Sequence, residues 1–265
     1  MKALILFLGA VVSLGGAAPA FAESDEDLAK QLSNPVADLI SVPLQFNYDG
    51  NIGSGKGDRV TLNVQPVIPF SLNSEWNLIT RTIMPVTWQS DIAGQSGTQF
   101  GLGDTVQSFF LSPRDPTGSG ITWGAGPVFL YPTATDDLTG LGKWGAGPTA
   151  AVLELNGPWT VGILANHIWS FAGRSDRPDV NATFAQPFVT YTTANAWSFG
   201  LNTETTYDWR SNSWAVPLNA TVGKLVVVEG QPINFQVGLR YWAESPAGGA
   251  RGFGARFVMN FVFPQ

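Results

Sequence analysis

The sequence predicts an all-β chain, an antiparallel transmembrane β-barrel of twelve strands behind a short N-terminal helix or arm. Three observations predict it. Residues 197–209 alternate strictly, with Trp197, Phe199, Leu201, Thr203, Thr205, Tyr207 and Trp209 on one face and Ser198, Gly200, Asn202, Glu204, Thr206 and Asp208 on the other. Period two is the signature of a strand, and a membrane strand needs about nine to eleven residues, with aromatics near both interfaces. The same unit recurs down the chain, and the ten tryptophans fall near the ends of its copies. Beyond the first residues, no stretch reaches the eighteen or so apolar residues of a membrane helix. An exported chain embedded in a membrane is then left with closed strands, because every backbone polar group must be paired in lipid. An exported soluble β-protein is the other reading.

Residues 1–22 read as a secretory signal peptide, with Lys2, an apolar run over 3–15 and the small-x-small site Ala20-Phe21-Ala22. An N-terminal transmembrane helix is the alternative. Residues 23–37 form the arm. Ser24 with Asp27 is a helix-capping pair, Leu28 and Leu32 share a face, and Pro35 ends the segment. A disordered leader is its alternative.

The barrel occupies 38–265. Its strands are expected at 40–49, 59–70, 76–88, 100–112, 121–133, 144–155, 159–171, 182–192, 197–209, 214–226, 233–244 and 252–263. In the first, Ile40, Val42, Leu44, Phe46 and Tyr48 oppose Ser41, Gln45, Asn47 and Asp49. Gly-rich 50–58 is a loop. An even strand number returns the chain to the side on which it began, the periplasmic side. Trp76, Trp123, Trp159 and Trp197 then fall at that end, and Trp88, Trp144, Trp169, Trp209, Trp214 and Trp242 at the other. The last strand alternates Phe253, Phe257, Met259, Phe261 and Phe263 against Arg256 and Asn260, the kind of terminal strand that the barrel assembly machinery reads. Asp104 breaks the pattern, falling on the lipid face. Its flanking Gly101 and Gly103 predict a bulge that turns it inward. By parity His167 faces outward and Trp242 inward.

The formal net charge of −6 and the lack of a basic patch argue against nucleic acid, and the absence of cysteine excludes disulfides and thiolate metal sites. Function would sit in the lumen. Its expected polar residues are Arg59, Gln65, Arg81, Gln107, Glu204, Asp208, Arg240 and Arg256. Turn positions set Asp49 opposite Arg59, Gln65 opposite Arg81 and Arg81 opposite Gln107. Arg240 and Arg256 meet across the last hairpin, near Glu204 and Asp208. This is a selectivity zone for a polar or anionic solute or a charge-balanced network that satisfies buried groups. Strands three to eight turn apolar side chains inward, among them Phe109, Leu111, Val128, Leu130 and Leu153. Leu164, Ile168, Phe184 and Phe188, with Gln186 to orient a hydroxyl or carbonyl, make a patch suited to a small aromatic ring. The same half-wall could instead pack against the arm or an inward loop.

Catalysis is not expected. His167 and Ser170, with Asn166 beside them, lie three apart on a strand and hence on opposite faces, whereas a nucleophile must reach its base. Asp136-Asp137 is read as a loop tip with no metal-ligand spacing around it, and no cofactor is implied.

Several longer runs resemble the bacterial outer-membrane barrels of the meta-pathway of phenol degradation family, whose members are often labelled transporters. They are 34–43 (Asn-Pro-Val-Ala-Asp-Leu-Ile-Ser-Val-Pro), 100–104 (Phe-Gly-Leu-Gly-Asp), 123–127 (Trp-Gly-Ala-Gly-Pro) echoed at 144–148, and 166–171 (Asn-His-Ile-Trp-Ser-Phe). The resemblance implies an outer-membrane location and a link to uptake of aromatic or other hydrophobic compounds; it brings no catalytic residues. The expected partners are outer-membrane lipid, the assembly machinery and a small-molecule solute. Three functions remain open: a passive transporter of small hydrophobic or aromatic molecules, a narrow diffusion pore for small polar or anionic solutes, and a structural envelope barrel with a plugged lumen.

Overall fold

The computed structural model describes residues 24–264, so the expected signal peptide at 1–22 lies outside the described residues. The chain opens with helix α1 (Asp25–Gln31), capped by Ser24, whose Oγ accepts from the Asp27 amide at 3.1 Å. Twelve wall strands follow: β1 (Ile40–Ile52), β2 (Gly57–Val64, then Val67–Ser71), β3 (Trp76–Ser90) and β4 (Thr98–Leu102, then Thr105–Pro113). Next come β5 (Ile121–Tyr131), β6 (Lys143–Asn156), β7 (Trp159–Gly173) and β8 (Asn181–Thr192). The last are β9 (Trp197–Thr203, then Thr205–Asp208), β10 (Ser213–Val228), β11 (Gln231–Glu244) and β12 (Gly252–Phe263). Each strand pairs antiparallel with its chain neighbour, and β1 pairs with β12 from Ile40–Phe263 to Tyr48–Ala255. The sheet therefore closes without a free edge. No helix among the described residues is long and apolar enough to cross a membrane, so any crossing by the described residues is made by strands.

The outer face is what a hydrocarbon environment demands. Phe100 is 74% exposed, Leu239 64% and Val237 61%. A contiguous apolar surface of this kind is not tolerated by a monomer in water. Aromatics rim it at both ends, as in transmembrane barrels. Trp76 and Trp123 meet edge to face at 6.0 Å near the chain termini, and Trp159 meets Tyr191 at 4.9 Å. Trp88, Trp144, Trp169, Trp209 and Trp214 are exposed at the opposite rim. Trp242 alone turns inward, as its parity requires, and donates through Nε1 to Asp49 at 2.7 Å.

The repeated Trp-Gly-Ala-Gly-Pro run has a structural role. Pro127 and Pro148 are cross-strand partners on the lipid side. Neither has an N–H for its outer neighbour, and both flanking ladders are interrupted there. Pairing skips from Ser108–Val128 to Leu111–Ala125 on one flank and from Ala146–Trp169 to Thr149–Asn166 on the other. Gly147 lets the bent wall close up, since a Cβ there would lie 1.7 Å from the His167 carbonyl oxygen.

One expectation fails on β4. Leu102 pairs with Val86, yet Val106 pairs with Ile83, so three residues on β4 oppose two on β3. The bulge at Gly103-Asp104 adds one residue, and a one-residue slip exchanges the two faces of all that follows. Val106, Ser108, Phe110 and Ser112 therefore face the lumen, with Phe110 fully buried. Gln107, Phe109 and Leu111, expected inside, are on the outer wall. Gln107 pairs with Thr82 instead of Arg81 and accepts from the Tyr131 hydroxyl at 3.2 Å.

The arm enters the barrel mouth. Leu28, Ala29, Ala37 and Leu39 form a buried cluster with Ala196, Leu225 and Val262. Val36 reaches a second cluster, with Val67, Ile79, Phe110, Ala151, Leu153 and Leu164, against which Phe184 and Phe188 pack.

Candidate functional site

The lumen wall divides by chemistry. On β1, β2 and β9–β12 the inward positions carry Asn, Gln and charged groups that bond mostly to one another. Glu204 stands at the interruption of β9, and its Oε2 accepts from Arg240 Nη1 at 2.9 Å and Arg256 Nη2 at 2.7 Å. Arg240 Nε lies 3.1 Å from Asp49 Oδ1, an ion pair whose angle does not make a hydrogen bond. The Arg240 guanidinium also sits 4.9 Å from the Trp242 ring centre. Arg256 Nε donates to Asn47 Oδ1 at 2.8 Å, and Asn219 Nδ2 to Asn202 Oδ1 at 2.9 Å.

The two arginines were expected opposite each other; they are diagonal, with Arg240 beside Gly254 and Arg256 beside Gly238. This keeps like charges out of direct opposition and lets one carboxylate serve both. Asp208 does not join them. Its carboxylate turns into the following loop, accepting from the Arg210 amide and the Ser211 hydroxyl, both at 2.8 Å. Asp49 does pair with Arg59 across the first hairpin, and Arg59 Nε donates to Gln89 Oε1 at 2.7 Å.

On β3–β8 the middle of the inward wall is mostly apolar, with polar side chains such as Asn77, Gln89, Ser112 and Thr149 buried elsewhere along it. Ile83, Val106, Leu130, Leu164, Ile168 and Phe184 line a cavity of about 350 Å³ that also holds Gln186, Glu204 and Arg81. A second cavity of about 210 Å³ lies toward the arm, bounded by Leu32, Pro35, Ala37, Phe188 and Arg256. The two share Gln45, Gln65, Arg81, Leu164 and Gln186, which mark a waist. Arg81 donates from Nη2 to Gln65 Oε1 at 2.8 Å, although its Cα partner is Val67.

Chain reaches into both mouths. The arm packs into one. At the other, loop 132–142 leans inward: Gln89 Nε2 holds the Leu138 carbonyl at 2.9 Å, and Leu141 lines the larger cavity. Asp104 anchors that loop by accepting from the amides of Ala134 and Leu141. The expected bulge is therefore present, and its carboxylate caps loop backbone. Asp137 pairs with Arg174 and Arg177 of the next loop, and Asp136 accepts from the Leu138 amide at 2.8 Å. The Arg174 hydrogen bond, reinforced by its charge, holds the Asp137 carboxyl below the usual aspartate range. Arg174 also lowers Asp176, chiefly through its hydrogen bond.

His167 faces outward, beside the Trp169 ring at 4.0 Å, with Nδ1 2.7 Å from the Thr183 hydroxyl. Ser170 points to the other face, where its Oγ accepts from the Val180 amide at 2.9 Å. The two are not in reach of each other.

Val36, Gln89, Val106 and Ser108 were not singled out as lumen residues in the sequence. For Val106 and Ser108 the signal was present in the bulge; the slip that it causes had only to be carried forward along the strand.

No protein-family model matches the sequence. No curated protein matches it either. Among solved structures, an outer membrane channel from Pseudomonas putida F1 is similar at a TM-score of 0.67 and 16% identity, covering 85% of this chain and 96% of that one. Outer membrane phospholipase A from Escherichia coli is similar at 0.52 and 11% identity, covering 92% and 99%. At these identities the likeness is one of fold: this chain has the architecture of an outer-membrane β-barrel.

Proposed function

We propose that the protein is a passive channel of the cell outer membrane for small hydrophobic or aromatic molecules, with the arm on the periplasmic side as an occluding segment. The observation that carries this reading is the half-apolar lumen at Leu164, Ile168, Phe184 and Phe188. A water-filled pore gains nothing from an apolar half-wall, whereas small-molecule sites are mostly apolar with a few polar groups. The fold shared with an outer membrane channel supports it, as does the sequence resemblance to the phenol-degradation family. In this reading residues 1–22 direct export and the strand ending at Phe263 engages the assembly machinery. The separation of His167 from Ser170 supports a non-enzymatic role beside the phospholipase likeness.

A plugged structural barrel is the second reading, favoured by Val36, which occupies part of the apolar cluster. Uptake of a labelled aromatic compound into liposomes separates the two. Phe184→Ala with Phe188→Ala should lower uptake several-fold while the barrel still assembles. Unchanged uptake across a panel of aromatic and aliphatic compounds would leave those rings as packing for the arm.

A further inference from the structure

We propose that Arg81 is an anion-binding residue at the waist of the lumen, and that the site it makes selects a small monocarboxylate with an apolar or aromatic body. This rests on the channel reading for its purpose and names the solute class for it.

Arg81 differs from the other lumen arginines in what it faces. Arg240 and Arg256 share Glu204, and Arg59 is the cross-strand partner of Asp49. Arg81 has no carboxylate within 4.0 Å among the described residues; its one side-chain bond is to the neutral amide of Gln65. A guanidinium carries five N–H donors in a fixed fork. Gln65 uses one of them. None of the Arg81 nitrogens is sealed off without a partner, and the side chain is half-buried on the wall of both cavities. The remaining donors therefore open onto the lumen. An unpaired guanidinium in a partly dry, low-dielectric channel is costly unless water or an anion completes it. A carboxylate fits the fork bidentately.

The surroundings set the rest of the ligand. Leu164, Ile83, Val106 and Phe184 give the larger cavity its apolar side, next to Arg81, and Gln186 offers an amide between the chambers. A volume of about 350 Å³ accepts a single ring. Glu204 lines the same cavity, but its carboxylate is already held by two arginines and does not compete for Arg81 at contact distance. The site thus joins one cation to an apolar wall, which suits an amphipathic acid better than either a neutral hydrocarbon or a sugar.

The test is calorimetric titration of the folded barrel in detergent with benzoate and, as the neutral comparison, benzyl alcohol. Wild type should bind benzoate at least about tenfold more tightly, the margin of one charge-assisted pair. Arg81→Gln should remove that margin, Arg81→Lys should keep part of it, and benzyl alcohol should respond to neither. Ser108→Asp is a second route should Arg81→Gln fail to assemble. Ser108 is the cross-strand partner of Arg81, so a carboxylate there neutralises the guanidinium in place and should also abolish the preference. Equal affinity for the two probes, or a benzoate preference that survives both variants, overturns the site. Flux separates this from the channel itself. Benzoate that binds through Arg81 but never crosses liposomes removes the channel and keeps the site. Benzoate that crosses equally well in wild type and Arg81→Gln, with no preference in binding, does the reverse.

Discussion

The two halves of the lumen wall achieve order by opposite means. The half made by β1, β2 and β9–β12 is polar, and its groups bond across strands: Glu204 to Arg240 and Arg256, Arg256 to Asn47, Trp242 to Asp49. The half made by β3–β8 has few polar bonds, those of Arg81 and Gln89 on β3 among them, and its apolar part is covered by Val36 from outside the sheet. A polar wall fixes distance and angle, so it is rigid and intolerant of loss. An apolar wall accepts any filler of suitable size. In the channel reading, it is the second half that would exchange a segment of its own chain for a solute.

The largest blow to this contrast should come from Glu204→Gln. It leaves Arg256 buried without a carboxylate and Arg240 with Asp49 alone, and removing one member of a buried pair costs about 3–5 kcal/mol. Unfolding in urea, read by heat-modifiable gel mobility, should show a markedly lower midpoint than for Phe184→Ala. Equal midpoints would mean that the polar half is no more constrained than the apolar one. Somewhat smaller is the effect that tests the slip on β4. Phe109→Arg places a charge in hydrocarbon, at about 2–4 kcal/mol near the midplane, whereas Val106→Arg enters the lumen. Folded yield should fall much further for the first. The reverse order would restore uninterrupted alternation through Asp104. The smallest effect concerns the same ion-pair chemistry moved into water. Asp137 and Asp176 have carboxyls held below the ordinary value by Arg174. A lowered folded value means that their contribution is fully present above the ordinary aspartate range, near pH 4, and is lost as pH falls through the folded value. Loop 132–142 should therefore become more protease-sensitive on acidification below about pH 4. Arg174→Ala should reproduce that sensitivity at pH 7 without changing the unfolding midpoint of the barrel. An Arg174→Ala loop as resistant as wild type would assign its order to Asp104 and Gln89 alone.

Much of this molecule was legible in its residues because a barrel in lipid leaves each position one of two environments. Alternation alone placed Leu201 outside and Glu204 inside, and the rim tryptophans marked where several strands leave the hydrocarbon. Three of the errors share one cause. Parity is a running count, and Gly103-Asp104 adds one to it; the flanking glycines announced the bulge but not the size of its step. Gln107, Phe109 and Leu111 were misplaced together for that reason. Asp208 shows a different limit. Its position on the strand was right, but a carboxylate on the last residue before a turn finds local amides before distant arginines. Gln65 was set opposite Arg81, but the register, unchanged across Pro66, sets Val67 there; strand edges alone do not fix how the turn at 72–75 is centred.

The seam between β1 and β12 bears on how the chain comes to be made. Asn47 and Asp49 belong to the first strand; Arg240, Trp242 and Arg256 belong to the last two. These groups are separated by about two hundred residues, with Asn47 and Arg256 209 apart. No partial chain can satisfy them. Until β12 docks, Asp49 and Asn47 lie on an open edge and Glu204 has at most one of its arginines. Contacts this far apart in sequence form late, because the loop they close must first lose its freedom. The polar half of the lumen thus acts as a clasp that fastens only when the sheet meets itself. A variant weakened there would show its defect as slow closure and a long-lived open sheet, before any loss of passage through the finished wall.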